Sequence, residues 1–209
     1  MLTKLDFASC YAYSPHGSSL TSAESRLFRD RLKNGNPEEL RRCAANILAL
    51  FNSGHFVEFF GHGVLLIPVP RSAPLVKGAL WVPNRICQAL VAAGLAGQSA
   101  PVLTREHAVR KSAFQAPAGR PTFQEHLDSL AVDRLRPPAG RILLVDDVVT
   151  SGCTLLAAAE RVAQAFAGIP VRAFAVARAM SDDVEAITDP CEGAIRHSKF
   201  GKGRAYRRP

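Results

Sequence analysis

The chain lacks the cysteine spacing of a metal or disulfide framework. Its 5 cysteines (Cys10, Cys43, Cys87, Cys153 and Cys191) are scattered and no CxxC pair occurs. That argues against a zinc site, and the odd count and wide spacing suggest free thiols in a reducing compartment. No apolar run approaches the roughly 18 residues of a membrane span. The opening stretch MLTKLDFASCYAYSPHG has no apolar core of the kind a secretion signal carries. A cytoplasmic protein without a membrane partner is therefore expected. Acidic residues are in deficit, 18 against 26 Lys and Arg, leaving a net charge of +8. Such an excess favours an anionic partner, whether a phosphate-rich small molecule, nucleic acid or an acidic surface, without choosing among them. No internal repeat is present. What is there is a globular composition: 209 residues, 47% hydrophobic and 21% charged. That suits one α/β domain with excursions and a core that needs no staples.

Residues 1–60 read as mostly helical after an irregular start. Ala23, Leu27, Phe28 and Leu32 recur at helical spacing between Thr21 and Lys33, and Asn34-Gly35 is a stop signal. A second helix follows, with Asn36 as N-cap, Pro37 at the first helical position and Glu39 at capping-box spacing. Strands and helices then alternate. The spacing predicts strands over 64–69, 101–105, 141–145 and 171–177, with helices over 83–93 and 153–167. Alternation of this kind implies a parallel sheet with helices on both faces. Between Glu106 and Pro138 the chain is polar and rich in Arg, Pro and Gly, a long excursion with one short helix expected near Thr122–Leu130. The tail from Arg196 is basic, has no acid, and is expected to lack regular structure.

The stretch RILLVDDVVTSGCT carries the chemistry. Asp146 and Asp147 stand at the carboxyl end of a predicted parallel strand, where open sheets bind ligands. Thr150-Ser151-Gly152-Cys153-Thr154 then leads directly into a helix. A loop of small residues at a helix start offers backbone N–H groups, hydroxyls and a favourable dipole to a phosphate. Gly152 permits a positive φ or a close backbone approach. Carboxylates beside a bound anion are useful only if they face something else, such as neutral hydroxyls or a metal ion. A sugar phosphate meets that description.

Four apolar residues, two acids, two apolar residues and T-S-G-x-T, about 13 contiguous residues in all, resemble the phosphoribosyl pyrophosphate (PRPP) signature of type I phosphoribosyltransferases. Cys153 stands where Ser, Thr, Ala or Gly is more usual. The resemblance implies an α/β fold: a parallel sheet flanked by helices, with a small N-terminal helical hood over 1–60, a core over 61–180 with a flexible loop at about 105–125, and a C-terminal segment over 181–209. It implies that Asp146 and Asp147 hold the ribose 2′- and 3′-hydroxyls, and that Val149, Thr150, Ser151, Gly152, Cys153 and Thr154 surround the 5′-phosphate. Arg71 and Ser72, in IPVPRSAP, would receive pyrophosphate. Arg105, Arg110, Lys111 and Arg120 lie where the family carries a loop that closes over the site, and Asp146, Asp147, Arg105, Arg110 and Lys111 are the candidate catalytic residues. The implied cofactor is magnesium, Mg2+, held mainly by substrate oxygens and water, with Asp146 and Asp147 the protein candidates.

The implied partners are PRPP and a small, nucleobase-like acceptor, and a homo-oligomer is expected. Tyr11, Tyr13 and Phe56 are candidates for stacking on a base, with core packing the plainer reading. His107 and His126 read as surface or hydrogen-bonded residues. IPVP followed by a basic segment is also similar to ComF-like competence proteins, tied to DNA uptake. However, Cys10 stands alone where they carry CxxC, and GALWVPNR replaces their usual run. A non-catalytic PRPP- or nucleotide-sensing module, or a nucleic-acid-associated one, is the alternative. The tail IRHSKFGKGRAYRRP would then supply cations and aromatics to nucleic acid, or lend a cation to the PRPP site.

Overall fold

The computed structural model describes residues 1–110, 121–133, 140–198, 203 and 205–208. In chain order the elements are β1 (Lys4–Tyr13), α1 (Leu20–Lys33), α2 (Pro37–Asn52), β2 (Gly61–Pro68), α3 (Val82–Ala92), β3 (Ala96–Ser99), β4 (Leu103–Arg105), α4 (Phe123–Asp128), β5 (Leu130–Val132), β6 (Arg141–Val149), α5 (Cys153–Ala165), β7 (Val171–Ala179), β8 (Thr188–His197) and β9 (Ala205–Arg208). Seven strands form one sheet in the order β3-β2-β6-β7-β1-β8-β9. The first five are parallel, and β8 and β9 add an antiparallel edge.

Side-chain alternation divides the core. On β2 and β6, Leu66, Leu143 and Val145 point to one face, where they meet Phe28, Ile47 and Leu90 from α1, α2 and α3. Leu65, Ile67, Ile142 and Leu144 point to the other, against Leu155, Leu156 and Val162 of α5. The period of two along a strand makes a continuous apolar run serve both faces at once, which is why these strands read as unbroken VLLIP and ILLV.

Three expectations needed correction. Residues 4–13 are a buried strand between β7 and β8, not an irregular start. Leu5 and Phe7 serve one face of the sheet and Ala8 and Cys10 the other, but Asp6 and Ser9 interrupt the apolar run that would have revealed it. The strand of the main sheet that follows α3 is Ala96–Ser99; Leu103–Arg105 instead pairs with Leu130–Val132 in a separate two-stranded sheet. The tail is not irregular throughout, since Ala205–Arg208 pairs with β8. Among its described residues Ile195 and Ala205 are the buried hydrophobics, so pairing partners rather than local pattern make it a strand. The caps of α2 and α4 follow the sequence, while the N-cap of α1 is Ser19, ahead of the Thr21 at which the helical spacing begins. Ser19, Asn36 and Thr122 accept from the third residue on, and Thr122 with Glu125 completes a capping box.

Candidate functional site

β2 leads into α3 on one face of the sheet, and its neighbour β6 leads into α5 on the other. Adjacent parallel strands whose helices depart to opposite faces leave a crevice beyond their carboxyl ends. A cavity of about 470 Å³ lies there. One wall carries Asp146, Asp147, Thr150 and Thr154, and the turn after β2 adds Arg71 and Ser72.

Asp146 and Asp147 extend β6 beyond its apolar run, and each carboxylate folds back on the next amide. Asp147 N donates to Asp146 Oδ1 at 2.8 Å and Val148 N donates to Asp147 Oδ1 at 2.7 Å. Lys33 Nζ, from the last turn of α1, donates to Asp147 Oδ2 at 3.0 Å. Burial, and then the neighbouring Asp147 charge, push the Asp146 carboxyl well above the usual carboxylate range. Burial opposes the Lys33 charge, yet Asp147 and Asp146 together hold its ammonium above the usual lysine value. The pair is thus short of positive charge. Among the described residues, no group of three or more His, Cys, Asp or Glu is placed to hold a metal ion. A cation shared with a ligand's oxygens fits this donor set; a protein cage does not.

The loop into α5 is shaped by Gly152, the N-cap, at φ 87°. A side chain there would also collide with Ile195 of β8, since a Cβ would lie 2.7 Å from its Cδ1. Gly152 therefore answers both the backbone and the packing requirement. No side chain caps α5, so its first amides are available, apart from Cys153 N, which reaches Ser151 Oγ at a long 3.4 Å. Arg207 of β9 braces the loop from behind: its Nε donates to Thr150 O at 2.5 Å and its Nη2 to Ala179 O at 2.5 Å. His126 of α4 stands 3.3 Å by Nε2 from Thr154 Oγ1. Burial, then Arg105, push its imidazole down to about 4, and its Nδ1 has no partner among the described residues.

The turn after β2 is tied in by Val69 N to Val145 O and Trp81 Nε1 to Val69 O, both 2.9 Å. Arg71 is exposed, with Nη1 donating to Leu80 O at 3.2 Å. Arg105 ends β4 and is buried instead of opening a flexible loop. Its Nε donates to Arg71 O at 2.5 Å and its Nη1 to Ser129 Oγ. Burial lowers its guanidinium to about 10. Arg110 is exposed on the cavity rim and pairs with Glu125 at 3.0 Å. Lys111 and Arg120 lie outside the described residues.

The cavity thus gathers Asp146, Asp147, Thr150, Thr154, Arg71, Ser72, Arg105 and Arg110. It does not gather the side chains of Val149 and Cys153, which are buried among the residues packed against α5. Ser151 and Gly152 do not line it either. Tyr11 and Phe56 are core residues, while Tyr13 reaches the cavity. Sequence reasoning missed Arg29, Lys33, Leu80, Val82 and Pro83 as lining residues. The one available signal was a pair of cations one helical turn apart, on a helix read only for its apolar stripe. It also left His126 unassigned and Arg207 among several uses of the tail.

No family model matches the chain, and no curated protein does. Among solved structures it is similar to a hypoxanthine phosphoribosyl transferase from Trypanosoma cruzi, at 16% identity over 79% of this chain and 72% of that one, with a TM-score of 0.34. It is also similar to a glutamic acid mutant of an HPRT at an invariant aspartic acid, at 15% identity over 80% and 73%, with a TM-score of 0.31. At these scores the fold is described by the sheet topology itself. No helix among the described residues is long and apolar enough to cross a membrane.

Proposed function

We propose that the cavity binds PRPP and that the protein is a phosphoribosyltransferase of the type I kind, transferring phosphoribose to a small acceptor with release of pyrophosphate. One observation carries this reading: the carboxylates of Asp146 and Asp147 and, from the start of a helix with no side-chain cap, Thr154 line the same cavity, all within nine residues of one strand–loop–helix unit at the switch point of the sheet. The amides and hydroxyls of 150–154 take the 5′-phosphate. Asp146 and Asp147 accept from the ribose hydroxyls. Arg71, Arg105 and Arg110 face the leaving pyrophosphate.

The acceptor's lone pair forms the bond to ribose C1 as the C1–O bond breaks and its electrons leave with pyrophosphate. Positive charge develops on the ring and negative charge on the leaving group. Fixed donors are worth most against the latter, because they need no reorganisation. Arg105 is such a donor, immobilised between Arg71 O and Ser129 Oγ. Asp146 and Asp147 orient the ribose and need not move a proton. Magnesium, when bound with the substrate, supplies charge neutralisation on the pyrophosphate oxygens.

The test is PRPP consumption with stoichiometric pyrophosphate release across an acceptor panel. In calorimetry, Asp147→Ala is expected to weaken PRPP affinity about 100-fold or more, the loss of two charge-assisted hydrogen bonds, while circular dichroism stays unchanged. Undiminished affinity in that variant would overturn the assignment of the acids. PRPP binding without turnover on any acceptor would favour a sensing module on the same fold.

A further inference from the structure

α4 and the two short strands that flank it in sequence form an arm beside α5, with Leu103, Phe123 and Leu130 packed among the apolar residues of that helix. His126 is the one side chain of α4 that lines the cavity. It ends a chain of hydrogen bonds that starts at the turn after β2. Arg105 Nε donates to Arg71 O at 2.5 Å, Arg105 Nη1 donates to Ser129 Oγ, and Ser129 Oγ donates to His126 O at 2.7 Å. Arg105, Ser129 and His126 are all buried. The imidazole then meets α5, with Nε2 3.3 Å from Thr154 Oγ1.

The other ring nitrogen decides which way that last bond runs. Burial, then the Arg105 charge, keep the ring neutral against the opposing pull of Glu125. A neutral imidazole has its proton on one nitrogen and a lone pair on the other. Nδ1 is buried without a partner among the described residues. A proton there would leave an orphaned N–H, which folded proteins accept less readily than a bare acceptor. With the proton on Nε2, the ring donates to Thr154. A hydroxyl that accepts from the ring keeps its own proton for the cavity, which Thr154 also lines. It then faces a ligand as a donor, as an anion requires. Donation to an anion makes the oxygen a better acceptor in turn, so the long Nε2–Oγ1 contact should tighten when the cavity fills.

We propose that His126 is a positioning residue of the phosphate subsite: its Nε2–H donates to Thr154 Oγ1 and so turns the hydroxyl proton toward the phosphate. The inference rests on the reading that residues 150–154 take a phosphate. It adds to that loop a residue from a different part of the chain. It also couples the two ends of the ligand, because the chain that seats the ring begins at Arg71.

The tautomer is read by nitrogen-15 NMR of the full chain labelled at histidine, with and without ribose 5-phosphate. The His126 signals are assigned by their loss in His126→Gln. The proton is expected on Nε2 in both states. In calorimetry His126→Phe is expected to weaken ribose 5-phosphate binding about 10-fold, one lost hydrogen bond. His126→Gln, whose amide can donate from the Nε2 position, is expected to recover most of that loss. In a Thr154→Val background His126→Phe should change affinity by less than about 2-fold, since the hydroxyl that the ring directs is gone. A merely structural histidine would weaken binding equally in both backgrounds. A proton on Nδ1 would overturn the inference, as would full affinity in His126→Phe, equal losses in the Phe and Gln variants, or additive losses with Thr154→Val. Should His126→Phe fail to fold, the tautomer decides alone. If ribose 5-phosphate binds and the proton lies on Nδ1, the positioning role fails while the phosphate reading stands. If the parent does not bind ribose 5-phosphate, the phosphate reading fails and the role with it.

Discussion

The α5 wall of the cavity and the α1–α3 wall are made in different ways. The first is a single run of chain: a strand ends, its acids face out, and a glycine turns the backbone into a helix, all between Arg141 and Thr154. The second is gathered from Tyr13, from Arg29 and Lys33, and from Leu80–Pro83, three segments that only the folded sheet brings together. A contiguous wall has its shape dictated by local backbone chemistry and changes only with the loss of that chemistry. A gathered wall can exchange one lining residue at a time. Anchoring the invariant part of a ligand on the first and the variable part on the second follows from that difference.

The contrast can be broken most forcefully at Gly152. Gly152→Ala forces a left-handed residue and drives a methyl into Ile195, which together cost about 3 kcal/mol. Chemical denaturation should show that loss, with ribose 5-phosphate binding lost alongside it. Adding Ile195→Ala should recover the packing share but not the backbone share. Full recovery would mean that the backbone conformation is not what the loop requires.

His126 sharpens the comparison, because it supports the contiguous wall from a distant element. The unfolded chain takes up its proton near 6.5, whereas the native imidazole resists until about 4. Between those values the unfolded state holds more protons, so stability rises with pH and is lost as pH falls through this window. The full effect is about 3 kcal/mol for a group this buried. His126→Gln should flatten stability between pH 4 and pH 6.5, both limits taken from the imidazole. An unchanged slope would place the sensitivity elsewhere.

Arg207→Ala is the smallest of the three changes. Removing two charge-assisted donors to Thr150 O and Ala179 O should cost about 2 kcal/mol. Hydrogen exchange at 151–154 should quicken, and ribose 5-phosphate should bind about 10-fold more weakly. Exchange as slow as in the parent would show that the loop holds itself.

The same contrast explains what could be read in advance. Residues 142–154 were legible because strand, acids, glycine and helix start are adjacent and each has a local reason to be there. Asn36 and Thr122 were legible as caps for the same reason. β1 was not, since a central strand buried on both faces needs no alternation, and Asp6 and Ser9 blurred its apolar character. The strand at 96–99 hid in AGQS, which only its pairing with β2 makes extended. Lys33 was read only as the end of a helix. Its meeting with Asp147, 114 positions away, is a fact of packing alone.

Two contacts tie the loop of the contiguous wall to the last two strands of the sheet. Thr150 is gripped by a side chain 57 positions downstream, and Gly152 rests on Ile195. A ribosome that has released residue 154 has therefore made the whole nest but not the brace behind it. During synthesis the molecule should gain its grip on a phosphate late, in the same step that docks β8 and β9, and clipping those two strands from the mature protein should undo that grip while the parallel strands stay paired.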